Sequence, residues 1–174
     1  MALTDGDASV LANAAHVLGL SGEDINAAIA LIDRCVALNP SYARGWYVSG
    51  MVRIQAGQCD AAIEHLEKSL RLSPRGYLAA PRLGLGMAHF YSGRFAEAAE
   101  LLSLSIREVS FPGAYRTLAS CYAHLGKMDE ARALIARLRA TGAPVVPSFL
   151  PFAANPSRRE LLLSGLRLAV GEAA

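Results

Sequence analysis

The sequence predicts an all-α protein: a right-handed α–α superhelix of about four helical hairpins followed by a C-terminal capping helix. Two observations predict it. Apolar residues recur at helical spacing and are interrupted by glycines at regular intervals, and alanines recur with a period near 34 residues. One such hairpin cannot bury its apolar face alone, so several copies must stack on one another.

Two series of small residues define the repeat. The glycines that end the first helix of each hairpin are Gly22, Gly57, Gly93 and Gly126. The alanines early in each second helix are Ala28, Ala62, Ala98 and Ala131, and subtraction of successive numbers gives steps of 34, 36 and 33 residues. A period near 34 with paired helices is typical of a helical solenoid.

Composition restricts the classes of function. With 174 residues and 18% charged side chains, the chain predicts one globular domain over 1–174. A net charge of +2 is too small for the strong basic surface typical of nucleic-acid binding, and no apolar run reaches the roughly 20 residues that span a bilayer. The acidic start, Asp5-Gly6-Asp7, differs from the basic start of a secretory signal, so we expect a cytoplasmic protein without a membrane or nucleic-acid partner.

The hairpins follow one another with short links. The predicted repeats are about 8–41, 43–74, 79–110 and 112–143, then a Pro-rich connector over 144–156 and a capping helix over 157–170. Ser157 and Glu160 are spaced as a capping box, which predicts the start of the last helix. We expect this helix to cover the otherwise exposed end of the stack.

Each first helix has a small residue at the same position, which is explained by close packing of the paired helices. These residues are Ala15, Gly50, Gly86 and Ala119, and their short side chains allow the paired helices to approach closely. Large residues are expected to fill the spaces alongside, and those singled out are Trp46, Leu66, Leu102 and Tyr115.

The repeating unit resembles the tetratricopeptide repeat. In the second unit the matching positions are Trp46, Ser49-Gly50, Gly57, Ala62, Leu66 and Pro74. In the fourth unit they are Tyr115, Leu118-Ala119, Tyr122, Gly126, Ala131, Ile135 and Leu138. Ser49, Arg53 and Ser69 depart from the pattern, and the first unit lacks the aromatic residues. The resemblance covers roughly residues 8–143 and implies a non-catalytic protein-interaction module.

Three phrases resemble a narrower group, the C-terminal repeat regions of bacterial class III adenylate/guanylate cyclase-like or winged-helix regulatory proteins. The phrases lie at 31–40, 61–65 and 150–167, and the last contains Leu150-Pro151-Phe152 and Gly165-Leu166-Arg167. This resemblance implies the regulatory or oligomerisation half of a signalling protein such as an adenylate cyclase. The alternative is a scaffold attached to a glycosyltransferase or another enzyme, contributing contacts to a substrate protein.

The family resemblance places ligands along the surface lined by the first helices. The predicted groove residues are Arg44, Tyr47, Met51, Gln55, Leu83, Met87, Phe90, Arg116, Ser120 and His124. The groove is apolar in the middle with polar or cationic ends, so we expect a protein or peptide partner with apolar anchors. The family's carboxylate clamp is disfavoured, because Tyr47 and Met51 occupy two of its positions.

Two other uses of this surface stay open. In the first, Phe149, Leu150 and Phe152 of the connector fill the groove from within the chain. In the second, the apolar surface mediates self-association, most simply as a homodimer.

No constellation of residues predicts catalysis. The four histidines lack the i, i+4 spacing of a helical zinc site, and the three cysteines form no CxxC motif. Gly84-Leu85-Gly86 lies within a helical pattern, so it is not a phosphate-binding loop. We therefore predict no enzyme activity, no metal or other cofactor, and no small-molecule substrate.

Overall fold

The computed structural model describes residues 7–76, 78–148 and 155–171. Within these ranges the regular structure is entirely helical, which confirms the predicted all-α class. The helices are α1 (Ala8–Ser21), α2 (Ile25–Leu38), α3 (Ala43–Ala56), α4 (Cys59–Leu72), α5 (Ala79–Tyr91), α6 (Phe95–Glu108), α7 (Pro112–His124), α8 (Met128–Ala140) and α9 (Pro156–Val170).

The glycines between paired helices have a left-handed backbone. Gly22, Gly57, Gly93 and Gly126 have φ values of 71°, 89°, 76° and 75°, and each lies one or two residues beyond the end of a first helix. A residue with a Cβ is strained in this region, whereas glycine adopts it freely. The periodic glycines therefore reverse the chain direction within each hairpin.

The start of α9 differs from the predicted capping box. The Asn155 side chain caps the helix, accepting hydrogen bonds from the backbone N–H groups of Ser157 (3.0 Å) and Arg158 (3.4 Å). Pro156 occupies the first turn, where its missing N–H costs nothing. Glu160 instead forms a bidentate ion pair with Arg167, at 2.8 and 3.1 Å.

The chain divides into two compact units, Met1–Gly84 and Leu85–Ala174, and the division falls within α5. In the first unit, α3 packs against α1, α2 and α4. The apolar core that α1, α2 and α3 share comprises Leu11, Ala12, Ala15, Ala28, Ile32, Cys35, Val48 and Val52. In the second unit, α7 packs against α6, α8 and α9.

Glycine allows the paired helices to approach closely. A Cβ added at Gly50 would overlap Leu66 and would lie 3.1 Å from the backbone oxygen of Ala62. At Gly86 the added Cβ would lie 2.6 Å from Leu102 Cγ. Both leucines are fully buried, so the large side chain of one helix occupies the space that the glycine of its partner leaves empty.

Trp46 does not fill the interior as predicted. Its ring is half-buried, and its Nε1–H donates to the Pro40 backbone oxygen at 2.8 Å. The Lys68 Nζ lies 3.6 Å from the ring centre, in a cation–π contact. The residue therefore joins α3 to the preceding turn and to α4 at the surface, whereas Tyr115, at the same position of the fourth hairpin, is buried.

A polar network connects α2, α3 and α4. The Arg53 guanidinium donates to Ser49 Oγ and pairs with Asp33 at 2.7 Å. Ser49 Oγ is also hydrogen-bonded to Nδ1 of His65 at 2.9 Å, and the tautomer of the ring decides which of the two atoms donates. Burial, then the positive charge of Arg53, lowers the pKa of His65 to about 4, so the ring is neutral near pH 7.

Replacing Gly50 with leucine should destabilise the protein. The Ala62 backbone cannot move without disturbing α4, so we expect the free energy of unfolding to fall by about 1–3 kcal/mol through overpacking. Urea unfolding followed by circular dichroism measures the change. The matched control is Ala133→Leu, which adds the same side chain at an exposed position of α8 and should be nearly neutral. Equal effects of the two substitutions would contradict the packing described here.

His65 should make stability depend on pH. Its folded-state pKa lies below that of the unfolded chain, so the unfolded state takes up the proton first as pH falls from 6.5 towards 4. Stability is fully present above pH 6.5 and is lost through that interval. Because the ring is only half-buried, solvent screening reduces the effect of its protonation on stability. We expect this protonation to lower the melting temperature by about 2–4 °C between pH 6.5 and 4.

The variant His65→Gln isolates this contribution. Its amide retains a hydrogen-bonding group near Ser49 but does not titrate, so its melting temperature should fall less than that of the wild type between pH 6.5 and 4. Parallel curves for the two proteins would show that protonation of His65 does not oppose folding.

Candidate functional site

The first unit contains five of the predicted groove residues. Arg44 is exposed, and its Nη2 donates to the Asn13 side chain at 3.0 Å. Tyr47 is half-buried and meets the His16 ring edge-on at 6.3 Å between ring centres. Gln55 Nε2 donates to the Gly19 backbone oxygen at 3.0 Å. Met51 is buried and Leu83 is half-buried, so neither offers much surface to a ligand.

Arg44 and Tyr47 line a pocket of about 390 Å³. Its other lining residues are His16, Ala43, Ser69, Ser73, Ala80 and Pro81. They come from α1, the start of α3, the end of α4 with the residue that follows it, and the start of α5. This volume lies within the range of small-ligand sites, and it is large enough for one or two side chains of a peptide.

The pocket has a positive electrostatic character. Burial, then the charge of Arg44, lowers the pKa of His16, so this ring is neutral near pH 7. Arg44 therefore supplies the positive charge, and the described lining contains no carboxylate. Ser69 Oγ donates to the Ala43 backbone oxygen at 2.8 Å, which joins the end of α4 to the start of α3.

In the second unit, three predicted groove residues bond to the segment after α8 and to α9. Arg116 is buried, and its guanidinium donates to the backbone oxygens of Pro144 (2.7 Å) and Val145 (3.1 Å). Ser120 Oγ donates to the Leu162 oxygen at 3.3 Å, and His124 Nε2 donates to the Leu161 oxygen at 3.0 Å. This face of α7 is therefore covered by the chain itself.

A glycine brings α9 onto this face. A Cβ added at Gly165 would overlap Ser120 Oγ and would lie 2.9 Å from Ser120 Cα. Gly84 has the equivalent contact in the first unit, where an added Cβ would lie 2.9 Å from Met51 Sδ. Because Ser120 and Met51 occupy the same repeat position, α9 packs on α7 as the start of α5 packs on α3.

The remaining predicted groove residues, Met87 and Phe90, are buried core residues of the second unit. The Phe90 ring lies 5.6 Å from Phe95 and 6.2 Å from His124, measured between ring centres. His124 also stacks on Phe95 at 4.6 Å. These side chains therefore contribute packing more than accessible surface. Phe149, Leu150 and Phe152, which were expected as alternative groove fillers, lie outside the described residues.

Sequence reasoning missed the part of the pocket that does not come from first-helix groove positions. Ser69 and Ser73 belong to the second helix and its end, and Ala80 and Pro81 to the entry of the next hairpin. The available signal was the link before α5, which is two residues longer than the link before α3.

Metal-binding clusters and membrane spans are both missing from the described residues. In those ranges no three histidine, cysteine, aspartate or glutamate side chains are grouped to hold a metal ion. No helix there has both the length and the hydropathy required to cross a membrane.

Comparison with solved structures identifies the fold. MamA is 21% identical, with a TM-score of 0.67 and 80% of each chain covered. YrrB, described as a TPR protein with an unusual peptide-binding site, is 23% identical, with a TM-score of 0.64, covering 97% of this chain and 88% of YrrB. TTC0263, a TPR protein of Thermus thermophilus, is 21% identical, with a TM-score of 0.67 and coverages of 94% and 83%. At these identities the likeness shows the fold, which confirms the predicted class of α–α superhelix.

Comparison of sequences identifies the family. No curated protein sequence matches the chain significantly. The family model described as tetratricopeptide repeat matches residues 20–77 and 83–144, which is more than half of the chain. The chain therefore belongs to the tetratricopeptide-repeat family.

Proposed function

We propose that this chain is a non-catalytic scaffold that binds a protein through an exposed peptide segment at the pocket of the first unit. Tetratricopeptide-repeat proteins mediate protein–protein interactions, which supports the general class. The observation that carries the finer proposal is the pocket itself, because Arg44 and Tyr47 both line it and Arg44 is exposed.

The chemistry of the pocket favours a peptide that carries a carboxylate. Arg44 presents a planar guanidinium suited to pairing with such a group, and no described lining residue opposes it with a negative charge. Ala43, Ala80 and the Tyr47 ring offer apolar surface beside that charge. A short segment with an acidic residue next to an apolar residue matches both features.

The face of α7 is a poorer candidate for the same role. Arg116, Ser120 and His124 each bond to backbone oxygens of the chain itself. A peptide would have to replace these bonds before it gained any of its own, because buried polar groups left without partners are costly. This comparison favours the first unit.

The biological setting proposed for the scaffold rests on sequence phrases. We infer from the phrases at 31–40, 61–65 and 150–167 that it serves as the regulatory or oligomerisation region of a signalling protein such as an adenylate cyclase. A scaffold attached to a glycosyltransferase is the alternative. The sequence of the gene around this segment distinguishes the two settings. An adjoining cyclase domain would support the signalling protein, whereas an adjoining glycosyltransferase domain would contradict it and support the alternative.

Replacing Arg44 with alanine should weaken peptide binding. Peptides selected on the immobilised chain from a phage-displayed random library supply the probe, and fluorescence anisotropy measures their Kd. Because Arg44→Ala removes the positive charge of the pocket, we expect Kd to rise about tenfold, equivalent to about 1.4 kcal/mol. Selected sequences should be enriched in aspartate or glutamate.

The matched control is Arg107→Ala, which removes an exposed arginine from the last turn of α6. It should leave Kd unchanged. A library that yields no binding peptide, or peptides whose affinity is equally sensitive to both substitutions, would contradict the proposal.

A further inference from the structure

His16 lines the same pocket as Arg44. Its ring is half-buried at the wall of the cavity, where it meets the Tyr47 ring edge-on at 6.3 Å between ring centres. A neutral imidazole has one N–H donor, whereas both ring nitrogens are donors once the ring is protonated. The pocket therefore contains one permanent cation and one group that can become a cation near physiological pH.

Asn13 holds the head group of Arg44 close to His16. Arg44 Nη2 donates to Asn13 Oδ1 at 3.0 Å, and Asn13 and His16 are three residues apart on α1. Side chains with this spacing are neighbours on the surface of a helix, with Cβ atoms about 5–6 Å apart. The guanidinium from α3 and the imidazole from α1 are therefore brought together at one side of the pocket.

Arg44 is the charged residue among the described lining of the pocket, which belongs to α1, α3, the end of α4 and the start of α5. Helix α1 also packs against α2, whose charged residues are Asp33 and Arg34. Asp33 pairs with Arg53 of α3 at 2.7 Å, and Arg34 is exposed. The charges of α2 thus lie outside the described lining.

The acidic residues near the ends of α1 are Asp7, Glu23 and Asp24. The Asp7 carboxylate accepts a hydrogen bond from the backbone N–H of Ser9 at 2.7 Å, and the Asp24 carboxylate accepts one from that of Ala27 at 2.9 Å. Glu23 is exposed. None of these three carboxylates belongs to the described lining of the pocket.

An empty pocket and a pocket that holds a carboxylate favour different charge states of His16. Burial, then the charge of Arg44, lowers the pKa of His16 in the free chain, so two adjacent positive charges are avoided. A carboxylate bound to Arg44 would neutralise that charge and place a negative charge close to the ring. The second cause would then be reversed, which favours the protonated ring.

We propose that His16 is a second contact for the peptide carboxylate, and that the ring takes up a proton when the peptide binds. The carboxylate then lies between the Arg44 guanidinium and the protonated imidazole, and both donate to it. This inference rests on the proposed function of the pocket and adds a consequence, which is that peptide affinity rises as pH falls. The pocket would therefore bind an acidic peptide more tightly in mildly acidic solution than at neutral pH.

The pH dependence of peptide affinity tests this inference. The probe is a peptide from the phage selection that has one aspartate or glutamate, no histidine and blocked termini. Its carboxylate stays ionised above pH 5.5, because the usual pKa of such a group is about 4. We expect the Kd of the wild type, measured by fluorescence anisotropy, to fall about threefold or more from pH 8 to pH 5.5, as for a solvent-screened ion pair.

Two controls attribute the pH dependence to this pair of groups. His16→Gln keeps a hydrogen-bonding side chain that does not titrate, so its Kd should stay constant over the same range. A peptide whose carboxylate is replaced by the corresponding amide lacks the anion, so its Kd for the wild type should not fall at low pH. His65 stays neutral over this range because its pKa is about 4. Circular dichroism at both pH values verifies that each protein is folded.

NMR titration measures the protonation of His16 directly, and does not depend on the folding of a variant during the pH series. The imidazole resonance that is missing from the spectrum of His16→Gln identifies the group. The pKa of His16 should rise when the wild type is saturated with the acidic peptide, and it should not rise with the amide peptide.

The outcomes separate this inference from the function on which it rests. A library that yields no carboxylate-containing binder would contradict both. A peptide whose affinity depends on Arg44 but is equal at pH 8 and pH 5.5 would leave the binding site in place and overturn the role of His16. An equal pH dependence in His16→Gln, or with the amide peptide, would also overturn it, because another group would then be responsible.

Discussion

Close packing of the paired helices depends on glycines at the positions where the helices contact each other. At Gly50 and Gly86 any Cβ would collide with a buried leucine of the paired helix. The two helices can approach to this distance because glycine has only a hydrogen atom in place of a side chain. Leu66 also approaches Gly84, since a Cβ there would lie 3.0 Å from its methyl carbons. One leucine therefore packs against both the paired helix of its own hairpin and the start of α5.

Much of this arrangement could be predicted from the sequence because it depends on local chemistry that repeats. The turn after each first helix contains a residue with a left-handed backbone conformation, which glycine adopts without strain. The turns are therefore indicated directly by Gly22, Gly57, Gly93 and Gly126. Leu66 and Leu102 were expected beside the small residues, and both are fully buried. The period carries the information, since four copies of a weak pattern in phase are far more specific than one.

The candidate site could be predicted only in part, because its residues depend on contacts between segments distant in sequence. Arg116, Ser120 and His124 have the polar character of ligand-binding residues, yet their partners are backbone oxygens 28 to 42 residues away. Because every residue has a backbone oxygen, the sequence does not indicate which of them accepts a hydrogen bond from a distant side chain. The signal that could have revealed the contact is Gly165-Leu166, which repeats Gly84-Leu85 and marks α9 as one more first helix. Trp46 was misjudged for a similar reason, because its partners Pro40 and Lys68 hold the ring at the surface.

The ion pair on α9 also bears on how such a protein could lengthen during evolution. Repeat arrays grow when a copied helix pair finds a neighbour with a matching surface. In a helix added after α9, a leucine equivalent to Leu102 would meet the Arg167 guanidinium at the position where α5 has Gly86. A helix pair inserted between α8 and the connector would instead pack on surfaces that already recur along the chain. Of these two positions, the one upstream of α9 should therefore accommodate an added helix pair more readily.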